Sequence, residues 1–147
     1  MYQRKTLRLL SAIITVSLLC VTSAAQPIHL PQHTIEGRLD NGLRYVIKNN
    51  PVPRNIIEFR LVMNVGSIQE NDNQKGAAHF LEHMTFAGTK HFPNNGMVDY
   101  FERQGMKYGR DINAFTGFDK TIYWFTVPID SLHRDVIDTT LCIMNDL

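Results

Sequence analysis

The chain has 147 residues, 44% of them hydrophobic and 20% charged, with a formal net charge of +1. That is room for one globular domain or for part of a larger one. With the basic N-terminal Arg4, Lys5 and Arg8 set aside, 12 basic residues face 14 acidic ones, and a net charge of −2 excludes a charge-built surface for nucleic acid or anionic membrane.

Residues 1–25 read as a secretory signal peptide. Arg4, Lys5 and Arg8 form the positive segment, Leu9 to Val21 the apolar segment, and Thr22 to Ala25 supply small residues for cleavage. A membrane anchor needs about 20 apolar residues, more than this run holds. The expected mature protein is therefore secreted or periplasmic, with no membrane association after cleavage. Leu19 before Cys20 argues against lipidation, which wants a small residue there. With the signal removed, Cys142 is the only cysteine, so no internal disulfide forms. Its apolar surroundings predict a buried small hydrophobe.

Residues 26–34, with Pro27 and Pro31, read as a linker, and 35–147 as the folded part. Asn41-Gly42 between two strand-like runs predicts a hairpin. Ile57, Phe59, Leu61, Met63 and Val65 alternate, which predicts a strand over 56–65. Residues 66–74 are polar and predict a loop. A helix is expected from Asp72–Lys75, capped by Asp72 or Asn73, through Phe86, with Gly88 left-handed at its end. A second helix follows Pro93, capped by Asn94 or Asn95, with Met97, Val98 and Phe101 on one face and Gly105 as its stop. Residues 113–116 and 121–127 are strands joined by a turn over 117–120, and Pro128 closes the second. Tyr123, Trp124 and Phe125 should split between the core and the opposite face. Ser131 caps a last helix whose apolar positions are Leu132, Val136, Ile137, Leu141 and Met144. This pattern is still running at Leu147, so an N-terminal piece of a longer protein is expected.

The chemistry lies in His79-Phe-Leu-Glu-His83. A helix advances about 100° per residue, so with His79 at about 0°, Glu82 falls at about 300° and His83 at about 40°. Imidazoles at i and i+4 can grip one tetrahedral zinc from the same side. The carboxylate at i+3 points where water on the metal would give up its proton. Geometry alone leaves Glu82 open as ligand or base. Base is the better assignment, because a site made only of these three would leave no base nearby. Two His and a Glu in five residues also suit a solvated helix face. The apolar flanks Ala77, Ala78, Phe80, Leu81, Met84 and Phe86 argue instead for a mostly buried helix, whose ionisable groups need partners.

These residues carry a family resemblance. Gly76 to Thr89 resembles the signature of the M16 zinc metallopeptidases, the inverzincins of the pitrilysin, insulin-degrading enzyme and mitochondrial processing peptidase type, with H-x-x-E-H. Asn41-Gly-Leu43, Gly66-Ser67, Asn113-Ala-Phe-Thr116, Phe118-Asp119 and Thr121-Ile-Tyr123 stand in the family's order. The resemblance implies an α+β fold, an antiparallel sheet covered by helices, here a partial first domain. It implies Zn2+ held by His79 and His83, Glu82 as catalytic base, and Asn113 and Ala114 on an edge strand that holds substrate backbone by strand addition. It implies a zinc-dependent endopeptidase acting on peptides or unfolded protein segments, with the remaining M16 domains, in the same chain or in a partner subunit, completing a chamber. The family's third zinc ligand is a Glu roughly 75–80 residues past the second His. Leu147, the last residue given, falls short of that distance from His83. The expectation is weak zinc binding by two ligands and little or no peptidase activity for these residues alone. Asp99, Glu102, Asp111 and Asp119 are third-ligand candidates only outside that resemblance.

The alternative is a non-catalytic M16-like structural or peptide-binding subunit, against which the intact His79, Glu82 and His83 count. A zinc-storage domain ranks below both. His91 and His133 read as surface histidines and His29 and His33 as linker residues. Arg54 and Arg60 read as ordinary strand-edge charges, and Phe115 as a candidate pocket wall beside Asn113.

Overall fold

A computed structural model describes residues 33–129 and 135–147. The signal peptide, most of the linker, and Ser131, Leu132 and His133 lie outside the described residues. The chain divides into two compact units at Asn50/Pro51.

The described part of the first unit is a hairpin. Strand β1 (Thr34–Arg38) pairs antiparallel with β2 (Arg44–Lys48), Gly37 facing Tyr45. The Asn41-Gly42 signal is borne out. Gly42 takes φ 91°, Leu39 and Leu43 close the turn through backbone, and Asn41 Oδ1 accepts from Leu43 N–H at 3.0 Å. An asparagine side chain that mimics a backbone acceptor, followed by a residue free to adopt positive φ, is what a tight reversal needs.

The second unit is built on a three-stranded antiparallel sheet of β3 (Ile56–Met63), β4 (Ile112–Thr116) and β5 (Thr121–Pro128), in the order β3-β5-β4. Register sets the faces. Phe125 lies between Phe59 and Ile112, and Tyr123 between Leu61 and Ala114. Every second residue of β5 is therefore inward: Thr121, Tyr123, Phe125 and Val127 are buried, while Trp124 stands on the other face, 6.0 Å from the Arg60 guanidinium. The expected division of the aromatic run holds.

Helices α1 (Ala77–Ala87), α2 (Gly96–Arg103) and α3 (Asp135–Asp146) supply the rest of the core. Phe86, Met97, Phe101, Met106, Val136 and Ile143 cluster with Ile112, Tyr123, Phe125 and Val127. The α+β class, an antiparallel sheet with helices, is what the sequence predicts.

Several local expectations fail for physical reasons. The first helix starts at Ala77, not between Asp72 and Lys75. Residues Asp72–Gln74 form a separate 3₁₀ turn, and Gly76 at φ 88° breaks the backbone between the two. Neither Asp72 nor Asn73 caps α1. Glu70 does, accepting from Gly76 N–H at 2.7 Å and Ala78 N–H at 2.8 Å. Gly88 is extended rather than left-handed, because the chain folds straight back and Asn95 N–H caps the Ala87 carbonyl at 2.8 Å. Asn95 sits at the start of α2, but through its left-handed backbone (φ 61°) and without a side-chain bond. In α3 the inward positions are Val136, Thr140 and Ile143, and Leu141 is exposed. Thr140 escapes an apolar-periodicity reading because its hydroxyl bonds back to the Val136 carbonyl at 2.7 Å, which lets a polar residue face the core. Cys142 is exposed, not buried, one position round from that stripe.

Candidate metal centre

The stretch 77–87 is helical for ordinary reasons: alanines and long side chains, no β-branched run, and a glycine at each end. The angular spacing explains its burial. Glu82 and Phe86 stand one turn apart on the side toward the sheet, while Phe80, Leu81 and Met84 project from the opposite side. Accordingly Glu82 and Phe86 are buried, whereas Phe80 and Leu81 are 66% and 63% exposed and Met84 is exposed too. The expectation of a mostly buried helix is therefore wrong. The apolar flanks lie on both sides of the helix, and only one side meets the sheet.

His79 and His83 lie on the rim between these faces, both exposed, their Nε2 atoms 3.1 Å apart and their ring centroids 4.7 Å apart. Two nitrogens bound to one tetrahedral zinc at about 2.0–2.1 Å would stand about 3.3–3.4 Å apart, so the pair fits two positions of such a site. Among the described residues no group of three or more His, Cys, Asp or Glu side chains is placed to hold a metal. Asp99, Glu102, Asp111 and Asp119 thus do not join the two histidines. Asp111 instead binds Arg110 at 2.6 Å, which holds its carboxyl below the usual range.

Glu82 is 7% exposed. Its Oε2 accepts from the Thr116 hydroxyl at the end of β4, and its backbone carbonyl accepts from Thr85 Oγ1 at 2.6 Å. Burial pushes the Tyr123 phenol up from its usual value. A hydrogen bond with Thr85 opposes the shift and the nearby Glu82 charge adds to it. Helix and sheet thus meet at Glu82, Thr85, Thr116 and Tyr123.

Asn113 and Ala114 lie on β4, which is bonded to β5 on one side and forms one of the two edges of the described sheet. Their neighbourhood is already organised: Asn113 Nδ2 donates to the Gly109 carbonyl at 3.1 Å, and Asn113 Oδ1 accepts from Ala114 N–H at 2.9 Å. Phe115 is exposed on the face away from the helices.

Thr116 and Glu70 escape a reading of the sequence alone. Thr116 shares the inward face of β4 with Ile112 and Ala114, and a polar side chain at a core-facing position calls for a partner. Glu70 precedes α1 and is joined to it through the backbone. Its two bonds, the Ala78 bond first, hold its carboxyl below the usual range, and an acid at a helix N-terminus is favoured by the helix dipole. His91 is not a bare surface histidine. Its Nδ1 stands 2.7 Å from Asp146 Oδ1, and Asp146 Oδ2 accepts from His91 N–H and the Thr89 hydroxyl.

Residues 44–147 match the model of the family described as insulinase, peptidase family M16. The chain belongs to peptidase family M16. It is 43% identical over 110 residues to a probable zinc protease PqqL of Haemophilus influenzae, covering 75% of this chain and 12% of that protein. It is 46% identical over 101 residues to its namesake in Escherichia coli, covering 67% of this chain and 11% of that protein. The crystal structure of the first half of the periplasmic protease PqqL from Escherichia coli superposes with a TM-score of 0.75 at 39% identity, over 84% of this M16 chain and 25% of that one. The chain thus spans about an eighth of the length of these curated relatives.

Proposed function

We propose that this M16 chain carries the metal-gripping part of a zinc-dependent endopeptidase that cuts peptides or unfolded protein segments. The observation that supports it best is the pairing on one helix of two exposed Nε2 atoms 3.1 Å apart with a carboxylate buried and held from the sheet. His79 and His83 would hold Zn2+, the remaining ligand coming from outside the described residues. Bound zinc would supply Lewis acidity, polarising a scissile carbonyl and lowering the pKa of water toward about 7. Glu82 takes the proton of the attacking water and passes it to the leaving amine. Its burial keeps the carboxylate in one orientation, and the hydrogen bond to Oε2 leaves Oε1 for the proton. Ala114, through its edge-facing backbone and with the Asn113 side chain beside it, holds the substrate backbone as an added strand. The remaining M16 domains, in a longer chain or a partner subunit, close the chamber. The N-terminal segment directs the protein to the periplasm or outside the cell.

The test is Glu82→Gln in the full-length protein. The amide keeps the shape and an oxygen for Thr116, so zinc stays bound while cleavage falls by about 10²–10⁴-fold. His79→Ala should instead lose the metal. Cleavage at the wild-type rate by Glu82→Gln rules out Glu82 as the base.

A further inference from the structure

One contact joins the two halves of the proposed site directly. Thr116 is the last residue of the edge strand β4, and its hydroxyl donates to Glu82 Oε2 on α1, 34 residues away in sequence. The Thr116 hydroxyl has few other partners. The Thr121 hydroxyl lies 3.5 Å from it, at the limit of a hydrogen bond, and itself donates to the Val65 carbonyl at 2.9 Å. Register places the Thr116 side chain on the inward face beside Ala114 and opposite Thr121, so it points at α1 and not at solvent.

The backbone of the same residue faces elsewhere. Thr126 N–H bonds the Asp111 carbonyl and Gly117 N–H bonds the Lys120 carbonyl, so odd-numbered residues from 111 to 117 turn their backbone groups toward β5. In an antiparallel ladder the alternate residues turn theirs away. The even positions 112, 114 and 116 therefore address the open edge. Ile112 is taken by the preceding turn, through Gly109 N–H at 2.8 Å, and Ala114 N–H by the Asn113 side chain. Thr116 addresses the edge with its backbone and the carboxylate with its side chain.

We propose that Thr116 is a positioning residue that aims Glu82 and ties that aim to the sheet edge. The reading rests on Glu82 being the base. A carboxylate on a helix has three side-chain torsions and a choice of which oxygen to present. The hydroxyl removes that freedom by holding Oε2, which leaves Oε1 as the proton-accepting atom. A polypeptide added to the edge packs against the backbone of Thr116 and so stiffens the residue that orients the base. Substrate seating and base alignment are thereby mechanically one event.

The experiment compares Thr116→Val and Thr116→Ser with Glu82→Gln in the full-length protein, using a quenched fluorescent peptide that the wild type cleaves. Valine keeps the volume and loses the donor; serine keeps the donor. Thr116→Val should lower kcat about 10- to 100-fold with KM within about 2-fold, and Thr116→Ser should recover to within about 3-fold of wild type. Chelator competition should show zinc affinity unchanged in both variants, and the thermal transition should fall in Thr116→Val, where the buried carboxylate loses its donor, but not in Thr116→Ser. A wild-type kcat in Thr116→Val while Glu82→Gln is inactive overturns the positioning role and leaves the base intact. Equal losses in the valine and serine variants overturn it too, since the defect then follows packing and not the hydroxyl. Activity in Glu82→Gln overturns the underlying reading instead.

Discussion

Phe86 is the anchor on which α1 depends, and its removal is the sharpest test of how the site is held. The ring is 6% exposed, packs edge-on against Tyr108 at 5.3 Å between centroids, and tilts against Tyr123 at 6.1 Å. Glu82 is the other buried residue of α1, so little else on this helix can compensate. Truncating a buried Phe to Ala costs about 3–5 kcal/mol, of which each aromatic pair accounts for about 0.5–1.5 kcal/mol. For a domain with a total stability of about 5–15 kcal/mol that is a large share. Phe86→Ala should therefore destabilise the chain by about 4 kcal/mol, and Phe86→Leu by about 1–2 kcal/mol. The only tryptophan, Trp124 on the central strand, reports the transition by fluorescence during urea unfolding. The midpoint should fall with the slope unchanged. Phe86 is one turn beyond Glu82, so the same variant should also weaken zinc binding by the full-length protein. A loss of less than about 1 kcal/mol would refute the reasoning: α1 would then be held by Glu70 and the Glu82–Thr116 bond, with packing incidental.

Two further predictions concern the frame around the site. Backbone and side-chain bonds from His91, with the Thr89 hydroxyl, hold the Asp146 carboxyl down to about 2, below the usual aspartate value of about 3.9. A depressed folded-state pKa gives stability that is present above about 3.9 and lost as pH falls toward about 2. Asp146→Asn should thus lower the urea midpoint at neutral pH, with the gap to wild type closing between about pH 4 and about pH 2. A gap that stays constant over that range refutes the assignment. Gly66→Ala should destabilise by about 1–3 kcal/mol in the same assay. Its backbone is extended, so strain is not the cause; a Cβ there would run into the carbonyl oxygens of Gly117 and Phe118, the latter at 2.6 Å. Those two carbonyls accept from Ser67 and Ile68 N–H and join the 66–69 turn to the β4–β5 turn.

Much of the fold is legible in the chain itself. Strands β3 and β5 announce themselves by alternation, the hairpin by Asn41-Gly42, and the facing pair of imidazoles by the i, i+4 spacing of His79 and His83. What is not legible has a common origin. Local rules assign Asp72, Asn73 and Gly88 to the ends of α1, but these ends are set by groups outside the helix, Glu70 at one and Asn95 at the other. Composition overestimates the burial of α1 because it counts apolar residues and not the side they occupy. Apolar periodicity misplaces Leu141 and Cys142 for a related reason. The inward stripe of α3 passes through Thr140, a residue that an apolar template skips. The Thr116–Glu82 bond is invisible in the sequence because it depends on β4 ending beside α1, which no local pattern encodes.

The exposed imidazoles of His79 and His83 have a practical consequence at the bench. Two accessible imidazole nitrogens one helical turn apart are what immobilised nickel or copper resins capture. The proposed pair should therefore retain the untagged chain on such a resin. An appended polyhistidine tag would compete for the ions whose binding is to be measured, so zinc titrations belong on untagged protein eluted with imidazole and dialysed free of it.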